Sequence, residues 1–154
     1  MARHQNQGAA AVAEVSLVRL YVMRALYLLI LVGLAIQMWP LLLNHREDWP
    51  LMNSVVCSVL VAVSLLAALG IRYPLQMLPL LLFELLWKTI WLVAIALPQW
   101  QPGRMDAATS ETVFACVMGV VLVPIAIPWP YVWANYVRKP GDRWTPRREA
   151  GAQA

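Results

Sequence analysis

Charge is what this sequence has least of. Only 13% of its 154 residues are Asp, Glu, Lys or Arg, against about 25% in a typical soluble domain. That excludes the ordinary hydrated surface of a water-soluble fold. Cysteine occurs only at Cys57 and Cys116, which excludes a disulfide framework and a cysteine-based zinc site. No GxSxG, HExxH, P-loop or CxxC motif is present, so the sequence marks no catalytic residue, metal-ligand set or cofactor. Strand-like alternation is missing as well, which argues against a transmembrane β-barrel. Basic residues lack an accompanying nucleic-acid fold or stacking platform, so no nucleic-acid partner is expected.

What fills the chain instead is apolar: 61% of the residues are hydrophobic, against roughly 45–50% in soluble domains. A bilayer can solvate that much apolar surface where water cannot. Four apolar runs, about 22–42, 51–71, 75–96 and 112–132, approach the roughly 20 residues that carry a helix across about 30 Å of hydrocarbon. The expected fold is all-α, an integral membrane four-helix bundle over 18–136. A cytoplasmic segment, 1–17, precedes it, and a basic, disordered cytoplasmic tail, 137–154, follows. The AAAVA run at 9–13 lies before the first apolar run, not after it, so that run reads as a retained span and not as a cleaved signal.

Charge placement orients the spans. Arg3, Arg19, Arg24, Arg72, Arg138, Lys139, Arg143, Arg147 and Arg148 flank one side, nine cations against Arg46 and Arg104 on the other. The positive-inside rule puts both termini in the cytoplasm. Trp39, Trp49 and Trp100 are expected at the outer boundary, and Tyr21, Tyr73, Tyr131, Trp133 and Tyr136 at the inner one, where amphipathic rings match the headgroup level. Pro50 and Pro74 mark helix starts, and Asp106 is the expected N-cap of the fourth helix. QMWPLLL (37–43) and QMLPLLL (76–82) look like a repeat. The first closes a span and the second opens one, so they read as coincidence.

The third run, PLLLFELLWKTIWL, holds Glu84 and Lys88 near its expected middle, on one face with Trp87 and Trp91. Glutamate four residues before lysine is the favourable order for a helical pair. Two unpaired central charges would cost about 5–7 kcal/mol on insertion, similar to what the apolar residues of the span return. The pair is therefore expected to be neutralised and turned toward protein. It reads either as a structural ion pair or as a proton or ligand site centred on Glu84, with Trp91 a further cation–π partner for Lys88.

Other features read mainly as structure. Ser54, Ser58 and Ala62 form a small row suited to helix packing, with Ser64 and Ala68 a second one. Pro124 and Pro128 mark a kink in the fourth helix, with PWP at its interfacial end. Cys57 and Cys116 fall at similar depths; they read as buried apolar side chains, with a disulfide the alternative. His45, Glu47 and Asp48 give only a weak metal pattern. Arg138, Lys139, Arg143, Arg147 and Arg148 would contact anionic lipid at roughly 1 kcal/mol each.

The stretches IRYPLQMLPLLLFELLWKTIWL, ETVFACVMGVVLVPIAIPW and YVRKPGDRW together resemble a group of small bacterial four-span membrane proteins with no established activity. The resemblance covers spans three and four and the start of the tail. It implies a bacterial inner membrane and transfers no functional residue. A distant similarity to DoxX-like four-helix proteins rests on span number and size alone. The expected function is that of a non-enzymatic accessory subunit or membrane scaffold, working with a membrane-protein partner or as a homo-oligomer in the bilayer. The alternatives are a small transporter or proton-coupled carrier using Glu84, or a membrane enzyme acting on a lipid or quinone.

Overall fold

The computed structural model describes residues 15–44, 49–100 and 106–140. Every regular element among them is helical, and four helices are long and apolar enough to cross a membrane. These are α1 (Leu17–Leu43), α2 (Leu51–Arg72), α3 (Leu78–Gln99) and α4 (Ala107–Ala126). The all-α reading holds. A short α5 (Trp129–Val132) and a π-helical turn (Trp133–Arg138) follow.

Local chemistry explains where the helices start. Ser16 caps α1, its hydroxyl accepting from the Arg19 N–H, so α1 begins five residues before the expected span. Asp106 caps α4 as expected: its Oδ1 accepts from the Thr109 N–H at 2.8 Å. Pro50 stands just before α2. Pro74 does not open α3. The Tyr73 carbonyl accepts from Met77 to close a turn, and α3 starts at Leu78 with Pro79 in its first turn, where a missing N–H costs nothing. Pro40 lies in the last turn of α1, so the two QMxPLLL segments occupy opposite helix ends.

Prolines also set the irregular turns. Pro98 has no N–H to return to the carbonyl one turn back. The helix widens just before it into a π turn, Leu92–Ala96, with the Leu97 N–H reaching Leu92 O. α4 carries Pro124 within it and ends at Ala126; Ile127 is extended and Pro128 is buried. The expected continuation of the fourth span through IPWP to 132 is thus broken at Ile127. The Trp129 indole N–H returns across this break to Pro124 O at 3.0 Å.

α1 and α2 pack as one antiparallel hairpin, α3 packs on α4, and α1 meets α4 between the two units. The buried core collects at the end where α1 begins and α4 finishes: Met23, Leu26, Tyr27, Val63, Ala67, Leu78, Leu81, Val123, Ala126 and Ile127. Arg19, Arg24, Arg72, Arg138 and Lys139 belong to that same end. The opposite halves of the helices are far less enclosed, with Cys57, Val61, Ala96 and Cys116 as their buried apolar positions.

Small residues let α1 and α2 approach. Ser58 and Ala62 are exposed, and Ser54 and Ser58 hydroxyls donate back to Leu51 O and Ser54 O within their own helix. The packed face is Cys57, Val61, Ser64, Ala67 and Gly70. Gly70 is required: a Cβ there would lie 2.4 Å from the Tyr27 ring. The buried Tyr27 hydroxyl donates to Pro74 O at 3.1 Å, and Arg24 Nε donates to Ile71 O at 3.2 Å. The first ties α1 to the turn after α2, and the second to a carbonyl freed in the last turn of α2. Trp39 is not a free headgroup anchor, because its indole N–H donates to the buried Ser64 hydroxyl at 3.1 Å. Trp100, by contrast, is largely exposed.

Candidate functional site

The best candidate is the charged turn of α3. Lys88 Nζ pairs with Glu84 Oε2 across one helical turn. Glu84 is 2% exposed and Lys88 15%, so both face protein. The partner surface is α4. A Cβ added to Gly119 would fall 2.6 Å from Lys88 Cδ and 2.8 Å from its Cε. The lysine stem thus occupies the space that Gly119 leaves empty. Cys116, one turn away on α4, lies within electrostatic reach of both charges.

Lys88 Nζ also sits 4.3 Å from the centre of the Trp87 ring. The cation–π partner is therefore Trp87 and not the expected Trp91, which is half-buried one turn further on. Helical side chains lean toward the N-terminus, and the lysine follows that lean toward Glu84 and Trp87. Depth differs too. At 1.5 Å per residue, Glu84 lies about 9 Å from the start of α3 and Lys88 about 15 Å. Only Lys88 is central; Glu84 belongs to the third nearest the basic end.

Two polar atoms of this cluster are buried with no partner: Glu84 Oε1 and Trp87 Nε1. One is an acceptor and the other a donor. Such atoms are rare in folded proteins and expensive in a low-dielectric setting. The cluster thus offers an unused acceptor and an unused donor beside a cation, inside the protein and next to an α4 glycine. The π turn at Leu92–Ala96 begins one residue after Trp91, a distortion often found near functional sites.

The remaining predicted residues do not join this site. Gln37 and Asn53, two further polar residues of the spans, are exposed at the far end of the first hairpin. Cys57 and Cys116 are both buried and both free. Cys57 Sγ contacts Met38 O on α1 at 3.5 Å, whereas Cys116 sits on α4, one turn from Gly119. Among the described residues no cluster of His, Cys, Asp or Glu could hold a metal ion. His45, Glu47 and Asp48 lie outside the described residues, as do Arg143, Arg147 and Arg148. Arg138 and Lys139 are exposed. Gly119 and Trp87 carry more of the site than sequence reasoning gave them. The signal for Gly119 was a lone glycine in an apolar helix, which marks a close approach.

No family model matches this chain, and no curated protein or solved structure is significantly similar to it. Its architecture and this site therefore define its class alone: a small multi-pass membrane protein.

Proposed function

We propose that the chain is a non-enzymatic accessory subunit or scaffold of a bacterial inner membrane, with both termini in the cytoplasm, and that the Glu84–Lys88 pair pins α3 to α4. One observation carries this reading: the pair is turned into the chain's own helix contact, with Lys88 laid on Gly119. A charge pair neutralised this way serves packing without needing a substrate. The less enclosed halves of the helices, away from the basic end, leave apolar faces for lipid or for partner helices. Native mass spectrometry of the protein, gently extracted from its own membrane, tests the reading. A reproducible larger partner is the expected outcome; a lone monomer, under conditions that preserve other complexes, would count against it.

A second reading is favoured by the unpartnered Glu84 Oε1 and Trp87 Nε1. In a proton-coupled carrier, Glu84 would take up a proton or a ligand donor, with Lys88 holding its charge in the resting state. Glu84→Gln should then abolish transport even in the protein that inserts and folds.

A further inference from the structure

A cleft of about 200 Å³ opens at the basic end of the bundle, between the first turn of α1 and the broken end of α4. Arg19 and Ser16 form one wall, and Pro128, Pro130, Tyr131 and Ala134 form the other. We propose that this cleft binds the phosphate headgroup of an anionic phospholipid. The inference rests on the reading of the four helices as membrane spans.

The donors are all on the right chemistry for an anion. Arg19 contributes a guanidinium, and among the described residues it has no ion-pair partner. Arg24 and Arg72 differ: Arg24 is spent on Ile71 O and stacks over Tyr21, and Arg72 stacks over Tyr73. The Ser16 hydroxyl accepts from the Arg19 N–H, which leaves its proton free to donate outward. Tyr131, on the opposite wall, carries a phenol that can donate as well. Among the described residues no carboxylate lines the cleft.

The walls explain why a lipid fits better than a free anion. Pro128 and Pro130 carry no N–H, so together with Ala134 and the Tyr131 ring they form an apolar surface facing one cation. An inorganic phosphate gains nothing from that surface. A glycerophospholipid can place its phosphate at Arg19 and its glycerol and first methylenes on the proline side. The volume corresponds to about six or seven waters at roughly 30 Å³ each, room for a phosphate with its glycerol. Its position at the start of α1 and the end of α4 is that of the headgroup region. Arg138 and Lys139 lie beyond the cleft and provide the control for simple charge attraction.

The test uses the full-length protein in mild detergent with phosphatidylglycerol or phosphatidylcholine, read by native mass spectrometry. The expected result is one retained phosphatidylglycerol. Its retention should fall at least about fivefold in Arg19→Gln and be unchanged in the double variant Arg138→Gln, Lys139→Gln. Equal retention by wild type and Arg19→Gln, or loss only in the Arg138–Lys139 variant, would overturn the proposal. Displacement by millimolar glycerol phosphate would assign the cleft to free anions instead and overturn the lipid assignment. If Arg19→Gln fails to insert, Ala134→Leu fills the cleft with every charge kept. It should expel the lipid, and undiminished retention would count against the site. Extraction of the wild-type chain from membranes by carbonate would overturn the span reading itself, separately from the lipid result.

Discussion

Lys88 lies on Gly119: a methyl group at that glycine would fall 2.6 Å from the lysine Cδ. Gly119→Ala must therefore displace a side chain that Glu84 and Trp87 hold in place. Overpacking of this kind costs about 1–3 kcal/mol. In a Lys88→Ala background the clash is gone, and alanine should help α4 by up to about 1 kcal/mol over glycine. The sign of Gly119→Ala should thus reverse between the two backgrounds, read as unfolding free energy in lipid bicelles. Equal effects in both would mean that the lysine stem does not rest on Gly119.

Loss of either partner in the Glu84–Lys88 pair should be worse than loss of both. Glu84→Gln or Lys88→Gln leaves one buried charge alone, at a cost of about 3–5 kcal/mol. Glu84→Leu with Lys88→Met removes both and should be near neutral or stabilising. The swapped pair, Glu84→Lys with Lys88→Glu, should lie between, because it restores charge balance but reverses the favourable order along the helix. Unfolding of the four variants in bicelles would check this order. A doubly apolar protein that folds well but fails in the cell would point to the proton or ligand reading.

Gly70 should tolerate even less than Gly119. A Cβ there would lie 2.4 to 2.6 Å from three atoms of the Tyr27 ring, and a buried ring cannot fold aside as a lysine stem can. Gly70→Ala should cost at least about 3 kcal/mol if α1 and α2 are forced apart. Tyr27→Phe removes only the bond to Pro74 O and should cost about 0.6 kcal/mol, the average for interhelical hydrogen bonds in membranes. A Tyr27→Phe loss as large as that of Gly70→Ala would show that the hydrogen bond, not the close approach, holds the hairpin.

Composition and charge made the four helices legible, because lipid demands long apolar helices and charge marks their ends. The face on which α2 packs was not legible. Ser54, Ser58 and Ala62 are smaller than the buried row Cys57, Val61, Ser64, so side-chain size alone does not pick the face, and the partner helix decides. The bond of Trp39 was not legible for a similar reason: its position suits a boundary, but only the packed hairpin brings the Ser64 acceptor to its indole. Glu84 and Lys88 stood out at once as charges in an apolar run. What seats them did not, since Gly119 gains its role only when α3 lies against α4.

Acid should loosen the start of α4. Hydrogen bonds from Thr109, its side chain first and its backbone N–H second, hold the Asp106 carboxyl below the usual carboxylate range. A carboxylate whose folded pKa is lowered contributes stability that is present above the unfolded pKa and lost as pH falls through the folded one. Asp106 is fully exposed, so the consequence is local: the first turn of α4 frays while the buried core stays packed. Amide hydrogen exchange, normalised for its intrinsic pH dependence, should show Thr109 and Ser110 losing protection below the carboxylate range. Asp106→Asn keeps the capping acceptor without a titrating group, so its protection should be flat across the same pH window. Matching losses in both proteins would mean that the cap does not depend on the charge of Asp106.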